Sequence, residues 1–481
     1  MTTLKKQTFS GITWTVIDTF VLKGLSFLTL LLLARWLGPE EFGLMGMFSV
    51  FITIGLTLVD SGLSHSIIRV DNADDSDYST VFFSNLGISV VVYFFLFITA
   101  PFIAEFYRQP VLIPIVRWYC LSFIISAFSA IQLAILTKNM EFKKIMLCNL
   151  PGILIGILVG VVMGYFNYGI WSIVVMNLVT QIIQSIALWF FSGWKPSFTF
   201  SLEKLKFHFH FGYKLTLSGL LNTVFNNIYN VLIGRFYALS FLGYYERANS
   251  LNQYPVTTIS GVLSKISYPL LSKIKDQGNK ISEVYQRLLR VSFFFTAPLM
   301  MGAAAIAKPL FLFVLGEKWL PAVPIFQILC LASIFYPVHS LNINVLKVFG
   351  RSDLFLKLEV IKKVLTVICV VLFFPFGIYG LVWSSVAISL IGLLINTYYS
   401  SDMIKYRTKE QLFDMLPVFL LACSMFGLMY FVVDLFSDYF LLLQIVAPSV
   451  IGVFFYYLAS KLLKIQTLAD ALELVKIKNY K

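Results

Sequence analysis

The feature that most constrains this chain is a run of some twenty consecutive apolar residues, repeated along almost its whole length. A helix rises about 1.5 Å per residue, so each run can cross a hydrocarbon layer about 30 Å thick. Within lipid a segment must satisfy its own backbone N–H and C=O groups, and the short alternating segments of a membrane β-barrel do not occur in the sequence. The runs predict spans at 11–34, 44–65, 80–104, 113–137, 145–165, 168–191, 214–237, 249–271, 288–313, 322–345, 355–375, 379–400, 414–434 and 439–460, fourteen in all. Charged residues make up 13% of the chain, about half the share of a soluble domain. The expected fold class is an all-α integral membrane protein. The opening MTTLKKQTFSGITW reads as a signal-anchor, because the apolar run after it exceeds a signal-peptide core and lacks a small-x-small cleavage site.

Basic residues set the orientation, since Lys and Arg collect in cytoplasmic loops. With the N-terminus inside, alternate loops and their flanks hold 29 of the 37 basic residues and the outer ones hold seven, leaving Lys23 within the first span. Both termini are then cytoplasmic, and the net charge of +13 reflects topology and anionic headgroups; nucleic acid is not an expected partner. Membrane lipids are. Cys120, Cys148, Cys330, Cys369 and Cys423 are scattered in or beside apolar spans and read as small core residues with no disulfide framework.

No loop exceeds about thirty residues, so any function belongs to the helices. The connection 193–213 divides the spans six to eight. The turn after span one, ARWLGPEEFGLMGMF, is echoed after span seven by GRFYALSFLGYYERA: Arg35 and Gly43 match Arg235 and Gly243 at an offset of 200. An even number of spans separates them, which predicts parallel repeats about an axis along the membrane normal. The expected organisation is an N-terminal lobe (1–192), a cytoplasmic inter-lobe segment (193–213), a C-terminal lobe (214–400), and two further helices with a tail (401–481). Two pseudo-symmetric six-helix lobes without a soluble motor describe a rocking carrier.

The stretches RWLGPEEFGLMGMFSVF, LVDSGLSHSIIR, ILTKNMEFKK, NYGIWSIVV, LGYYERANSLNQYPVTTISGVLSKISYPLLSK, LGEKWLPAVPIFQILC and VFGRSDLFLK together resemble the polysaccharide transport branch of the multidrug/oligosaccharidyl-lipid/polysaccharide flippase superfamily, which includes O-antigen and colanic-acid-type flippases. The resemblance spans residues 10 to 360. It implies a V-shaped pair of six-helix lobes in a bacterial cytoplasmic (inner) membrane. It also implies export of an undecaprenyl-diphosphate-linked oligosaccharide, with the polysaccharide polymerase machinery as a downstream partner. On the same resemblance Trp36 to Gly43 is a periplasmic hairpin, with Gly38-Pro39 turning the chain and Glu40 and Glu41 in water.

Carrying a diphosphate through hydrocarbon requires cations and hydrogen-bond donors facing an aqueous cleft, because burying an unpaired anion costs tens of kcal/mol in the idealised limit. Asn222, Asn226 and Asn230 recur at four-residue spacing in span seven, with Asn227 alongside. They read either as a sugar-facing wall or as interhelical hydrogen bonding. Span eight adds Asn252 and Gln253 near one face, close to Pro255, a hinge or an inert kink. Lys23, mid-span, must meet a diphosphate or an acidic partner on another helix, or snorkel. Asp18 and Asp60 are candidates for H+ or Na+ coupling or for structural pairing; no other cofactor is expected. Arg235 and Arg247 lie at outer span ends, as interfacial anchors or as cations that draw an emerging diphosphate.

Other signals are set aside. His208 and His210 form an HxH without a third metal ligand and fit an interfacial amphipathic stretch. The Asp71–Asp77 cluster lacks the glycine and distal Glu of a calcium loop. There is no Walker motif and no recognisable nucleophile-base-acid set, so no enzyme is expected. The alternatives within the superfamily are a peptidoglycan-precursor flippase and a cation-coupled multidrug antiporter.

Overall fold

The computed structural model of the chain describes residues 21–60 and 62–468, whose regular structure is helical with no strand among them. The first helix, α1, is Lys23–Trp36, followed by α2 (Pro39–Asp60), the short α3 (Leu63–Arg69) and α4 (Asp75–Tyr107). Next come α5 (Leu112–Tyr119), α6 (Leu121–Lys138), α7 (Phe142–Tyr165) and α8 (Trp171–Ser192). The seventh pass is α9 (Leu202–Asn226) with α10 (Ile228–Phe236), and the eighth is α11 (Leu239–Ile274). Then follow α12 (Asn279–Ala305), α13 (Ala307–Val314), α14 (Ala322–Ser333), α15 (Tyr336–Val348), α16 (Ser352–Phe373), α17 (Gly377–Ile404), α18 (Thr408–Leu435) and α19 (Leu441–Leu462).

Each expected span meets a helical pass, although residues 1–20, with Asp18 and the signal-anchor, lie outside the described residues. Ten stretches among the described residues are long and apolar enough to cross a membrane, one of them, Asp353–Ile404, holding two helices. The others are the first pass, whose described helix α1 has 14 residues, and passes seven and eight, whose polar stripes dilute their apolar content.

Boundaries differ where local chemistry outweighs composition. α2 starts at Pro39 and stops at Asp60, ahead of the expected 44–65: proline suits a first helical turn, and Gly62 turns left-handed at φ 67°. α9 starts twelve residues before the expected 214, because the Ser201 hydroxyl caps it by accepting from the Lys204 N–H at 3.4 Å. Half of the 193–213 connection is therefore helix. Glu41 accepts from the Gly38 N–H at 2.8 Å and so closes the α1–α2 turn; Glu40 is exposed, as expected, whereas Glu41 is half-buried.

Packing divides the chain after Gly243. In the first unit α7 lies close along α8, with Gly152, Gly156 and Gly160 spaced every four residues on the shared face, while Gly164 faces Leu33 and Trp36 of α1. α9 rests on α2, α3 and α4, so this unit holds the seventh pass as well as the first six. Its core includes Leu63, Ile67, Val81, Phe82, Ile131 and Ala134, against which Trp189 and Trp194 pack.

In the second unit α11 runs unbroken through Pro255 and Pro269. α12 is tied to α18 by a bidentate pair, Arg290 Nε and Nη2 donating to Asp414 Oδ2 and Oδ1, each at 3.0 Å. Gln286 adds a bond to the same carboxylate at 2.8 Å. The Tyr456 hydroxyl on α19 donates to the Phe294 carbonyl oxygen at 3.0 Å.

Candidate functional site

α2 carries a polar row toward its C-terminus. Thr53 donates to the Ser49 carbonyl and Thr57 to the Thr53 carbonyl, so each hydroxyl is satisfied within the helix while its face stays polar. Thr57 reaches across to Thr223 of α9 at 3.3 Å. Asp60 ends the row, and α2, α3 and α9 enclose a cavity of about 560 Å³ lined by Thr57, Asp60, His65, Arg69, Phe211 and Thr216, among others.

Three contacts give this cavity its character. Asp60 Oδ2 lies 3.8 Å from His65 Nε2, both side chains being more than half exposed. The Arg69 guanidinium stacks 4.2 Å from the Phe211 ring centroid. Gly62 lets α3 meet α9 backbone to backbone, since a Cβ there would lie 2.7 Å from Gly212 Cα. One carboxylate, one imidazole and one guanidinium thus share a wet recess beside an aromatic wall.

Behind the cavity α9 is pinned to α3 and α4. His208 is fully buried, with Nδ1 2.8 Å from Ser66 Oγ and Nε2 3.3 Å from Asp77. Lys204 pairs with Asp74 and Asp77, and those two carboxylates also form the capping box that starts α4. The Lys204 ammonium, followed by the Asp77 cap, holds the Asp74 carboxyl at about 2, while the Lys204 value is raised by the same carboxylates. Burial lowers the His208 imidazole against the opposing pull of Asp77. The row Ser66–His208–Asp77 has the composition of a hydrolytic triad, but Ser66 and His208 have no exposed surface, so it fastens helices. Of the HxH read as part of an amphipathic stretch, His208 is buried and His210 exposed, and no cluster of metal-ligating side chains occurs among the described residues.

The expected site residues separate. Asp60 lies in the cavity. On α9, Phe211, Leu215, Gly219, Asn222 and Asn226 fall within about 80° of one another at 100° per residue. Asn222 and Asn226, both exposed, therefore continue the cavity-lining face about 10 Å along the helix. The stripe ends there. Asn227 donates to the Thr223 carbonyl at 2.8 Å where α9 gives way to α10, and Asn230 beyond the break is buried. Arg235 donates to the Phe106 carbonyl oxygen at 2.6 Å and lies 5.1 Å from its ring. In the second unit, Arg247 and Asn252 are buried, Asn252 donating to Ser333 at 2.8 Å. Gln253 is half-buried. Lys23 opens α1, but its side chain lies outside the described residues, as does Asp18.

His65, Arg69 and Phe211 were not singled out from sequence as site residues, although His65 and Arg69 lie inside LVDSGLSHSIIR and Phe211 in the 193–213 connection. The four-residue spacing of Ser49, Thr53 and Thr57 would have found the α2 row.

Residues 32–324 match the family of polysaccharide biosynthesis proteins. The chain belongs to that family. Similar proteins include the lipopolysaccharide biosynthesis protein WzxC of Escherichia coli K12, 25% identical over 371 residues, covering 77% of this chain and 75% of that one. The teichuronic acid biosynthesis protein TuaB of Bacillus subtilis 168 is 26% identical over 445 residues, 92% of each chain. The succinoglycan biosynthesis transport protein ExoT of Rhizobium meliloti 1021 is 24% identical over 361 residues, covering 75% of this chain and 73% of that one. In fold, this family member matches the lipid II flippase MurJ in an inward-closed conformation with a TM-score of 0.77 at 16% identity, covering 94% of this chain and 99% of that one. It also matches an inward-facing multidrug resistance MATE transporter at 0.62 and 16% identity, covering 82% and 99%. The fold is that of a multi-pass transporter.

Proposed function

We propose that this chain is a flippase that moves an undecaprenyl-diphosphate-linked oligosaccharide repeat unit from the inner to the outer leaflet of a bacterial cytoplasmic membrane. The carrying observation is the single polar face of α9, which leads from the Asp60–His65–Arg69 recess past Asn222 to Asn226. A sugar crossing hydrocarbon depth needs donors and acceptors at successive depths, and amides on one helix face supply them while the polyprenyl tail stays in lipid. Names of relatives in lipopolysaccharide, teichuronic acid and succinoglycan biosynthesis support a surface-glycan substrate.

In this reading the basic loops face the cytoplasm together with both termini, which puts the recess at the entry side and the hairpins at Gly43 and Gly243 at the exit. Transport proceeds by alternating access. Lys23 is assigned to the diphosphate, with Arg235 and Arg247 at the exit. Asp60, beside His65, is assigned to H+ or Na+ coupling, with Asp18 as the second carboxylate. The polymerase machinery that extends surface glycans would receive the product.

The test is complementation of a flippase-null strain of defined surface polysaccharide, with analysis of the lipid-linked intermediate. Wild-type chain should restore export, Lys23→Ala should abolish it at normal membrane levels, and Lys23→Arg should keep part of it. Full export by Lys23→Ala would remove the diphosphate assignment, and failure of the wild type across several glycan backgrounds would defeat the substrate class.

A further inference from the structure

A second cavity, away from the α9 stripe, opens between α4 and the α5–α6 pass. It has a volume of about 480 Å³, within the usual range of ligand sites, and Tyr93, Phe97, Ile113, Arg117, Trp118 and Leu121 line it. Arg117 is the charged member of this lining among the described residues. Its Nε–H donates to the Phe97 carbonyl oxygen at 3.4 Å and its guanidinium lies 4.3 Å from the Phe97 ring centroid, so the plane of the cation is fixed.

The surrounding surface is apolar and outward-facing. Val91, Phe94, Phe95, Ile98 and Trp118 are each more than half exposed, as helices facing acyl chains would be. α4 has 33 residues, about 50 Å of helix against about 30 Å of hydrocarbon, and Phe97 lies ten residues from its end. Placed symmetrically, Arg117 sits about 5 Å inside one hydrocarbon boundary, within reach of phosphates.

We propose that this cavity binds an anionic bilayer phospholipid, its phosphodiester on Arg117 and the start of an acyl chain along Tyr93, Phe97 and Trp118. One fixed guanidinium complements one phosphodiester charge, whereas a polyprenyl diphosphate would bring at least two. Snorkelling alone would not require a cation locked over a ring beside a formed apolar pocket.

The test uses the full chain in nanodiscs and native mass spectrometry with phosphatidylglycerol, phosphatidylcholine and undecaprenyl phosphate in competition. Wild-type chain should retain phosphatidylglycerol preferentially. Arg117→Ala should lower that retention about tenfold, equivalent to about 1.4 kcal/mol, and Arg117→Lys should lower it less. Equal retention of phosphatidylglycerol and phosphatidylcholine, undiminished retention by Arg117→Ala, or preference for undecaprenyl phosphate would each overturn the assignment. If Arg117→Ala does not accumulate, acyl-brominated lipids decide the matter on folded protein. Brominated phosphatidylglycerol should quench wild-type fluorescence more than Trp118→Phe fluorescence, with a smaller difference for brominated phosphatidylcholine; equal differences would reject the site.

Discussion

Gly243 meets Pro39 backbone to backbone: a Cβ on Gly243 would lie 1.8 Å from the Pro39 carbonyl oxygen. The converse contact repeats it, a Cβ on Gly43 falling 2.2 Å from the carbonyl oxygen of Leu239. Pro39 and Leu239 are the first residues of α2 and α11, and each glycine stands four residues on. The two contacts are reciprocal, and all four residues belong to the first unit. Gly243→Ala should force the helix starts apart at about 1–3 kcal/mol, the range for overpacking. A cysteine placed at Leu239 should then react faster with an impermeant maleimide than in the parent. An unchanged reaction rate at Leu239 in the Gly243→Ala protein would reject the close approach.

The two ends of the asparagine stripe should behave differently. Asn226 is exposed on the face that continues the cavity, whereas Asn230 is buried beyond the break at Asn227. Asn226→Leu is expected to reduce export severalfold at unchanged melting temperature. Asn230→Leu should cost about 1–3 kcal/mol of stability and so lower the melting temperature before export is affected, because a buried amide is lost from its setting. The reverse ordering would remove Asn226 from the path.

Acid should loosen the start of α9. The buried His208 imidazole has a lowered pKa, so between that value and the ordinary 6.5 the unfolded chain binds a proton that the folded one does not. The stabilisation is complete above about pH 6.5 and declines as pH falls toward the folded value. Asp77, Lys204 and Arg69 face the ring, and Asp74 acts in a separate window, roughly pH 4 down to about 2. Hydrogen exchange at residues 202–213, corrected for intrinsic rate, should be faster at pH 5.5 than at 7.5, and His208→Gln should flatten the difference.

The Arg290–Asp414 pair should matter more when broken than when replaced. The side chains are 16% and 22% exposed, so Arg290→Ala leaves a largely desolvated carboxylate beside Gln286 and Tyr406. The expected loss is about 3 kcal/mol, at the low end for buried pairs because some solvent access remains. Arg290→Leu with Asp414→Leu should recover most of it in a thermal melt of detergent-purified protein; additive losses would show no coupling between the two.

The membrane passes were legible from the sequence alone, because spanning lipid is a local demand that each segment meets with its own length and composition. The hairpin echo could also be read there: Arg35 and Gly43 recur as Arg235 and Gly243 at an offset of 200, and in the structure Gly43 approaches Leu239 while Gly243 approaches Pro39. What only the tertiary structure decided is which polar groups meet. Asp60, His65 and Arg69 share a recess with Phe211, and Ser66 is fixed by His208 from 142 residues away. Neither follows from spacing along one helix, because a polar residue in a span must turn from lipid but can turn toward a cleft or a neighbour. The asparagine stripe shows both outcomes within eight residues: periodicity placed Asn222, Asn226 and Asn230 together, and the break at Asn227, where a side-chain amide takes the Thr223 carbonyl, sent the last of them inward.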